Sequence, residues 1–211
     1  MFHETVEMLR KKLSMPLPGA VVQKEMAPVL TDPIRFNPSA KQDTILGGVL
    51  ILLYSVGDRI MLPLIQRPVY NGVHSGQISF PGGKKEKNES LVETALREAH
   101  EEIGVPIDEI EIIGTLTELF IPASNFKVQP VVGIISTPFK FSPDKHEVVK
   151  ILEADIMELL QDPRKTKTIE VKSVNLNILI EAPYFDVKGN VVWGATAMML
   201  SELLYLLNQK D

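Results

Sequence analysis

The sequence lacks cysteine altogether in its 211 residues. Disulfide bonds, thiolate nucleophiles and zinc sites with cysteine ligands are therefore excluded, and a reducing compartment is permitted. A surplus of positive charge is also missing, since the formal net charge is −5 at pH 7, and this argues against a nucleic-acid partner. A small phosphorylated substrate remains compatible with that charge, because a bound divalent cation can supply the missing positive charge.

Long hydrophobic runs are absent as well. The longest apolar stretch covers residues 47–56, far short of the roughly 20 residues that a membrane helix needs. Residues 1–20 lack the apolar core of a secretory signal. We therefore expect no membrane partner and a cytoplasmic protein. The 45% of hydrophobic residues is ordinary for a globular protein and suffices for a sizeable core.

The N-terminal 40 residues differ in pattern from the rest. Apolar residues recur there at the spacing of one helix face, at Phe2, Val6, Leu9 and Leu13. Prolines then follow at positions 16, 18, 28, 33 and 38, and they predict an extended arm that lies on the body of the protein. We accordingly divide the chain into an N-terminal helix and arm, residues 1–40, and a main domain, residues 41–211.

The main domain mixes predicted strands and helices. Two strands are predicted over residues 48–55 and 60–66, and a loop rich in glycine and proline follows from 67 to 88. The strongest helix signal runs from Ser90, which forms a capping-box pattern with Glu93, to Ile103 just before Gly104. Further strands are predicted over residues 109–118, 126–136, 147–152, 168–172 and 174–180, and helices over 154–161 and 195–208. This mixture is typical of a layered α/β or α+β domain.

Three glutamates lie on one side of the strongest predicted helix. Glu98, Glu101 and Glu102 fall within an arc of about 100°, because successive helical residues are about 100° apart, while the apolar side faces the core. Like charges at this spacing repel each other. A hard divalent cation such as Mg²⁺, which prefers carboxylate oxygens, would relieve the repulsion. The alternative is an acidic face that is simply solvated.

The surrounding sequence favours the metal. It reads Gly83, five residues, Glu89, seven residues, and then RE-A-H-EE-I-G-V over residues 97–105, which resembles the Nudix box at every fixed position. The resemblance implies that Glu98, Glu101 and Glu102 bind Mg²⁺ or Mn²⁺. It also implies that Glu89 supports this metal cluster, and that Arg97 pairs with the acids and holds them in place for catalysis.

The segment before the box carries a second resemblance. Residues 67–83 read RPVYNGVHSGQISFPGG, similar to the signature of the coenzyme A pyrophosphatase branch of the Nudix family. The sequence departs from that branch over residues 63–65 and at Gly72, where the branch usually has an arginine. By resemblance, the carbonyl of Gly82 faces the metal, and Arg67, His74 and Gly83 contact the substrate. Arg67 could equally cap a backbone carbonyl, and His74 could equally serve a loop hydrogen bond.

Downstream segments resemble the same branch over residues 121–130, 146–148 and 192–197. Lys127 is assigned here as a substrate contact, with plain surface as the alternative. Trp193 is interpreted as a core anchor at a helix start rather than a substrate platform. Hydrolysis of this kind needs a water molecule activated next to phosphorus, by the metal and usually by a carboxylate base. Glu102 could act from the helix and Glu147 from a nearby strand, and we favour Glu102 while treating Glu147 as a further metal or water contact.

The resemblance implies a Nudix α/β/α sandwich, with a mixed central sheet between the box helix and the C-terminal helix. The implied reaction is attack of water on a nucleoside diphosphate-linked substrate, with magnesium or manganese neutralising the developing charge. The branch implies conversion of coenzyme A to 3′,5′-ADP and 4′-phosphopantetheine. ADP-ribose or a dinucleotide is the alternative substrate, and a catalytically silent nucleotide-binding sensor is the alternative of another class. The expected partner is a small-molecule diphosphate, and a homodimer stays open.

Overall fold

The computed structural model describes residues 2–28, 43–70, 74–161, 165–172 and 177–209. Gly72 and the prolines at 33 and 38 lie outside these ranges. The helices are α1 (Phe2–Leu13), α2 (Ala20–Gln23), α3 (Leu91–Ile103), α4 (Ile156–Gln161) and α5 (Gly194–Asn208), with 3₁₀ turns at Lys24–Met26 and Ile107–Glu109. The strands are β1 (Ile45–Val56), β2 (Arg59–Gln66), β3 (Ile78–Ser79), β4 (Gly82–Lys84), β5 (Glu111–Thr115), β6 (Leu119–Ile121), β7 (Phe126–Ile135), β8 (Lys150–Asp155), β9 (Lys165–Lys172), β10 (Asn177–Val187) and β11 (Asn190–Trp193).

The central sheet is mixed, as predicted. Strand β1 pairs in parallel with β7 along ten residues, from Ile45 opposite Phe126 to Tyr54 opposite Ile135. Its other edge pairs antiparallel with β4 and β2. Strands β3 and β8 extend the sheet beyond β2, and β5 and β6 pair with β7. A separate antiparallel sheet contains β9, β10 and β11. None of the described helices has the length and apolarity needed to cross a bilayer.

Helices cover both faces of the central sheet. Side chains alternate along β1, because successive residues of a strand point to opposite faces. Leu50 and Leu52 belong to a buried cluster with Ala99 of α3. Ile51 and Leu53 belong to the other cluster, which contains the buried side of α5. The box helix and the C-terminal helix therefore sandwich the sheet, and the predicted Nudix α/β/α architecture is confirmed.

The N-terminal segment packs tightly on this body. The predicted stripe forms α1, and Val6 and Leu9 are buried in the α5-side core. The buried ammonium of Lys12 donates to the carbonyls of Leu206, at 3.0 Å, and Gln209 at the end of α5. The prediction of a continuously extended arm is wrong for residues 20–26, which are helical. The proline-free stretch between positions 18 and 28 buries Val22 and Met26 in that conformation.

Several predicted strand boundaries need correction. The strand predicted from residue 147 begins only at Lys150, because a turn precedes it. Asp144 holds that turn: its carboxylate accepts from the N–H of His146 at 2.7 Å, and its carbonyl accepts from Val148 at 2.8 Å. The strand predicted over 109–118 is a 3₁₀ turn followed by β5, with β6 separate. The hairpin of β10 and β11 and the short strands β3 and β4 were not predicted.

Candidate metal and substrate site

The box helix begins and ends as its sequence predicts. The Ser90 hydroxyl accepts from the N–H of Glu93 at 3.2 Å, and the Glu93 carboxylate accepts from the N–H of Ser90 at 2.6 Å. Gly104 ends the helix in the left-handed conformation, with φ of 70°. These caps fix where the helix starts and stops. They thereby fix the direction in which its glutamates point, toward strand β4.

Glycines let the box helix and two strands approach each other closely. A Cβ atom at Gly83 would lie 2.5 Å from the Glu98 carboxylate. At Gly82 it would lie 2.4 Å from the carbonyl oxygen of Gly48, and at Gly48 itself 2.3 Å from the carbonyl oxygen of Leu91. At Gly82 and Gly48 no side chain fits, because its Cβ would meet backbone atoms, and at Gly83 a side chain would displace the Glu98 carboxylate. The bend before the helix is therefore a cradle for the Glu98 carboxylate.

Glu102 lies at the bottom of this cradle and is fully buried. Its carboxylate accepts from the N–H of Gly82 at 2.8 Å and lies 3.5 Å from the guanidinium of Arg67. Burial raises the pKa of Glu102 to about 7, with the charges of Glu98 and Glu147 acting in the same direction and Arg67 opposing them. A carboxyl group that titrates near neutrality in such a place is a candidate for proton transfer.

Arg97 organises the remaining acids. Its guanidinium donates to Glu89 at 2.9 and 3.1 Å, to Glu98 at 2.9 Å and to Glu101 at 3.0 Å. It also donates to the carbonyl of Lys84 in β4 at 3.1 Å. The hydrogen bonds from Arg97 lower the pKa of Glu89 to about 2. Burial raises the pKa of Glu98 in spite of Arg97. The arginine therefore holds three of the four predicted acids against the strand.

These acids fit a hard divalent cation by their chemistry, although they are not gathered around one point. Within the described ranges, no three carboxylate or imidazole groups converge closely enough to hold a metal ion. Arg97 binds Glu89, Glu98 and Glu101, while Glu102 faces the N–H of Gly82. All the candidate donors are nonetheless oxygens, as Mg²⁺ prefers. Glu98 and Glu102 are withdrawn from water beside other negative charges. A bound cation would offset this concentration of negative charge.

A cavity of about 520 Å³ opens beside the cradle, within the size range of small-molecule sites. Arg67, Gly82 and Gly83 border it on the side of the glutamates. Its lining is mostly apolar and contains no carboxylate among the described residues. The further lining residues are Pro28, Val49, Tyr70, His74, Gln77, Ser79, Phe80, Ile121, Pro122, Ala123, Ser124, Phe126, Val128, Ile180, Trp193, Gly194, Ala195, Thr196 and Met199.

Two lining residues carry hydroxyl groups without a partner. In the part of the chain that the structure describes, the buried Oγ atoms of Ser79 and Ser124 have no hydrogen-bond partner. Buried polar atoms of this kind are rare unless a ligand or water completes them. Neither serine was singled out from the sequence, although both lie in segments, residues 67–83 and 121–130, that resemble the coenzyme A pyrophosphatase branch. Trp193, interpreted as a core anchor, is only partly buried, occupies the position just before α5 and lines the cavity.

Three of the four residues predicted to contact the substrate line the cavity, and Lys127 does not. Arg67 and His74 both line the cavity, and the His74 ring lies 3.2 Å from the Gln77 side chain. Burial lowers the pKa of His74, and the charge of Arg67 adds to this. Lys127 instead pairs with Glu118 and is not part of the lining. The position of Lys127 therefore gives no support to its predicted role as a substrate contact.

Glu147 is placed differently from its prediction. It is exposed and belongs to the turn before β8 rather than to a strand. Its negative charge still acts on Glu98 and Glu102, whose pKa values it raises. Glu147 therefore faces the carboxylate cluster from the solvent side, where a water molecule can reach it.

Known proteins of one family resemble this chain in sequence. The NUDIX domain family model matches residues 45–189. The uncharacterized Nudix hydrolase NudL of Pectobacterium atrosepticum is 33% identical over 138 residues, 65% of this chain and 70% of that protein. Nudix hydrolase 3 of Caenorhabditis elegans is 32% identical over 174 residues, 76% of this chain and 72% of that protein. The crystal structure of the MutT protein from Methanosarcina mazei Go1 is 17% identical, with a TM-score of 0.49, and covers 79% of this chain and 96% of that chain. The protein therefore belongs to the Nudix hydrolase family, the pyrophosphohydrolases.

Proposed function

We propose that this enzyme hydrolyses the pyrophosphate bond of coenzyme A, with Mg²⁺ or Mn²⁺, to 3′,5′-ADP and 4′-phosphopantetheine. One observation carries the proposal. In the segment that resembles the coenzyme A pyrophosphatase signature, the described residues 67–70 and 74–83 contribute to the cavity wall and end on the box carboxylates. At that meeting point Arg67 and the N–H of Gly82 both contact Glu102. The segment that would recognise the substrate therefore ends beside the groups that would act on its pyrophosphate.

The roles of the acids follow from their positions. Glu98, Glu101 and Glu102, supported by Glu89, would hold the divalent cation, with the Gly82 carbonyl as a further ligand by resemblance. The cation, when bound, neutralises charge on the phosphate oxygens. Arg97 keeps the acids in place before substrate arrives, because its hydrogen bonds already fix three of them.

Glu102 is the proposed general base. In the metal-free protein burial raises the pKa of Glu102 to about 7, near the pH at which a general base works best. Glu147 is the alternative, since it faces the same cluster but is exposed. The variants Glu102→Gln and Glu147→Gln separate the two. The acidic limb of the kcat/KM profile against pH should disappear in the variant that lacks the base and persist in the other.

The cavity lining supports a substrate with a neutral part next to its phosphates. Arg67 provides positive charge at the end nearest the carboxylates, where a phosphate would lie, because guanidinium groups match phosphate oxygens. His74 lies beside it, and its lowered pKa keeps the imidazole neutral at pH 7, so it can hydrogen-bond without adding charge. The pantetheine arm of coenzyme A is neutral and suits the remaining apolar lining.

The decisive test is a panel of diphosphate substrates with analysis of the products. Purified protein is incubated with coenzyme A, ADP-ribose and a diadenosine polyphosphate, each with Mg²⁺ and with Mn²⁺. We expect 3′,5′-ADP and 4′-phosphopantetheine from coenzyme A at the highest kcat/KM. A higher kcat/KM for ADP-ribose or the dinucleotide would replace coenzyme A as the substrate. Binding of these compounds without any turnover would identify a silent sensor instead.

A further inference from the structure

Part of the cavity wall comes from segments that the family model does not cover. That model matches residues 45–189. Pro28 lines the cavity from the N-terminal side of this range, and Trp193, Thr196 and Met199 line it from the C-terminal side. The compartment next to the glutamates is therefore completed by the N-terminal segment and by α5. What holds these two segments together then decides the shape of the compartment.

A buried carboxylate joins them. Glu202 of α5 is 0% exposed and accepts hydrogen bonds from Gly19 and Gln23 of the N-terminal segment and from Thr117. We call this contact between the N-terminal segment and α5 the junction. One oxygen accepts from the N–H of Gly19 at 3.1 Å and from the Thr117 hydroxyl at 2.7 Å. The other accepts from the Gln23 amide at 2.9 Å and from the N–H of Thr117 at 3.2 Å. A carboxylate only accepts hydrogen bonds, so it matches these four donors as no other side chain does.

Further contacts fix the N-terminal segment to α5 around this carboxylate. The Gln23 amide also donates to the carbonyl of Thr117 at 3.1 Å, and the Ser201 hydroxyl donates to the carbonyl of Val22 at 3.2 Å. Gly19 has φ of 55°, and a Cβ atom there would lie 3.2 Å from the Thr117 hydroxyl. Met26 is fully buried two residues before Pro28. The junction therefore sets the position of Pro28 in the wall.

The junction is also close to the cavity along α5. Glu202 lies three residues after Met199, which is one turn of the same helix and part of the lining. One further turn back, the Thr196 hydroxyl donates to the carbonyl of Ile78 at 3.0 Å. A change at Glu202 that shifts the N-terminal segment or α5 will thus alter the compartment. The carboxylates of the box lie on the opposite face of the sheet core and keep their own contacts through Arg97 and Gly82.

We propose that Glu202 is a positioning residue that closes the substrate compartment, and that this compartment takes the neutral, largely apolar part of a diphosphate substrate. This inference rests on the proposed hydrolysis of a pyrophosphate bond. The chemistry of the wall supports the class of occupant, since the described lining has no carboxylate and Arg67 is its only lysine or arginine. Trp193 offers an aromatic surface, and Ser79 and Ser124 offer hydroxyls for a neutral polar group.

The test compares two substrates on matched variants. Coenzyme A fills the compartment with its neutral arm, whereas P1,P2-dimethyl pyrophosphate carries only the bond to be cleaved. Glu202→Gln places an amide NH₂ group against two of the four donors, with Glu158→Gln on the exposed surface of α4 as control. Pro28→Ala trims the wall itself, with the exposed Pro16→Ala as control. We expect Glu202→Gln to raise KM for coenzyme A at least tenfold and Pro28→Ala about threefold, with kcat within twofold of wild type. Both controls and all values for dimethyl pyrophosphate should stay unchanged.

The outcomes separate this inference from the proposed function. An equal loss for both substrates in Glu202→Gln would show a general structural role and overturn the inference, as would an unchanged KM for coenzyme A. Should Glu202→Gln not fold, Pro28→Ala decides by the same comparison. A wild-type protein that cleaves neither compound refutes the proposed function instead. The Kd of coenzyme A, measured by calorimetry on the same variants, then tests the compartment, and equal values in all proteins would overturn it.

Discussion

The buried carboxyl group of Glu102 should make the metal-free protein less stable as the pH rises. Its pKa is about 7 in the folded protein, against an ordinary value of 4.5. Between these two pH values the folded protein keeps a proton that the unfolded chain has released. The free energy of unfolding therefore falls with rising pH in this window. The contribution is fully present below pH 4.5 and is lost as the pH passes 7.

The size of the effect follows from the two pKa values. A shift from 4.5 to about 7 corresponds to roughly 3 kcal/mol in the free energy of unfolding. Glu102 is 0% exposed, so solvent screening does little to reduce it. Glu102→Gln keeps the shape of the side chain and removes the titration. The variant should thus gain stability relative to wild type as the pH rises, from about 1 kcal/mol at pH 5 to about 3 kcal/mol at pH 8.

Urea unfolding in EDTA at pH 5, 6, 7 and 8 measures this difference. Glu101→Gln is the control, because Glu101 lies on the same helix and is exposed; its pH profile should parallel that of wild type. His74 contributes in the opposite sense, because its pKa is lowered in the folded protein. Its contribution to the free energy of unfolding is present above pH 6.5 and is lost as the pH falls below that value. Subtracting the wild-type values from those of the variant removes this contribution. A difference between Glu102→Gln and wild type that does not change with pH would refute the reasoning.

Four further outcomes are expected. Glu98→Gln and Glu102→Gln should each leave less than about a tenth of wild-type turnover with the fold intact, as checked by circular dichroism, because each removes a carboxylate of the proposed metal cluster. EDTA should abolish hydrolysis, and added Mg²⁺ or Mn²⁺ should restore it; a rate unaffected by chelator would refute the metal requirement. Gly83→Ala should lower kcat more than about tenfold, since its Cβ would lie 2.5 Å from the Glu98 carboxylate. Gly57→Ala, whose φ of 59° strains a side chain but whose Cβ meets no atom within 4 Å, should lose stability and retain kcat. Coenzyme A and dephospho-coenzyme A should differ by less than about a hundredfold in kcat/KM, because glycine at position 72 cannot supply the charged hydrogen bond of an arginine, worth roughly 1.5–3 kcal/mol.

Local sequence patterns predicted the parts of the structure that local interactions determine. The caps of α3 involve residues only three or four apart, so Ser90, Glu93 and Gly104 identified both ends of the helix. The burial of β1 on both of its faces likewise follows from its own continuous apolar residues. The acids of the box were predicted as metal ligands from their spacing on one helix face together with the resemblance of the residues around them.

Other features depend on contacts between distant residues and could not be predicted in this way. Arg67 reaches Glu102 across 35 positions of the chain, and Glu202 reaches Gly19 across 183. No local pattern marks such pairs. The turn at Glu147 was predicted as part of a strand that contains the β-branched Val148, Val149 and Ile151. The hydrogen bonds of Asp144 instead determine the conformation there. The cavity role of Trp193 depends on where α5 begins relative to β3, which is a tertiary property.

The contact between Lys12 and the end of α5 has a practical consequence for protein engineering. The carbonyls of Leu206 and Gln209 at the end of that helix accept from the buried Lys12 ammonium. If a helical linker or fusion partner continued α5, the backbone N–H groups of the added turn would take those carbonyls as their own acceptors. The ammonium would then be left buried without them, at a cost of roughly 1–3 kcal/mol or more. A fusion at this end should therefore begin with a glycine or proline that terminates the helix.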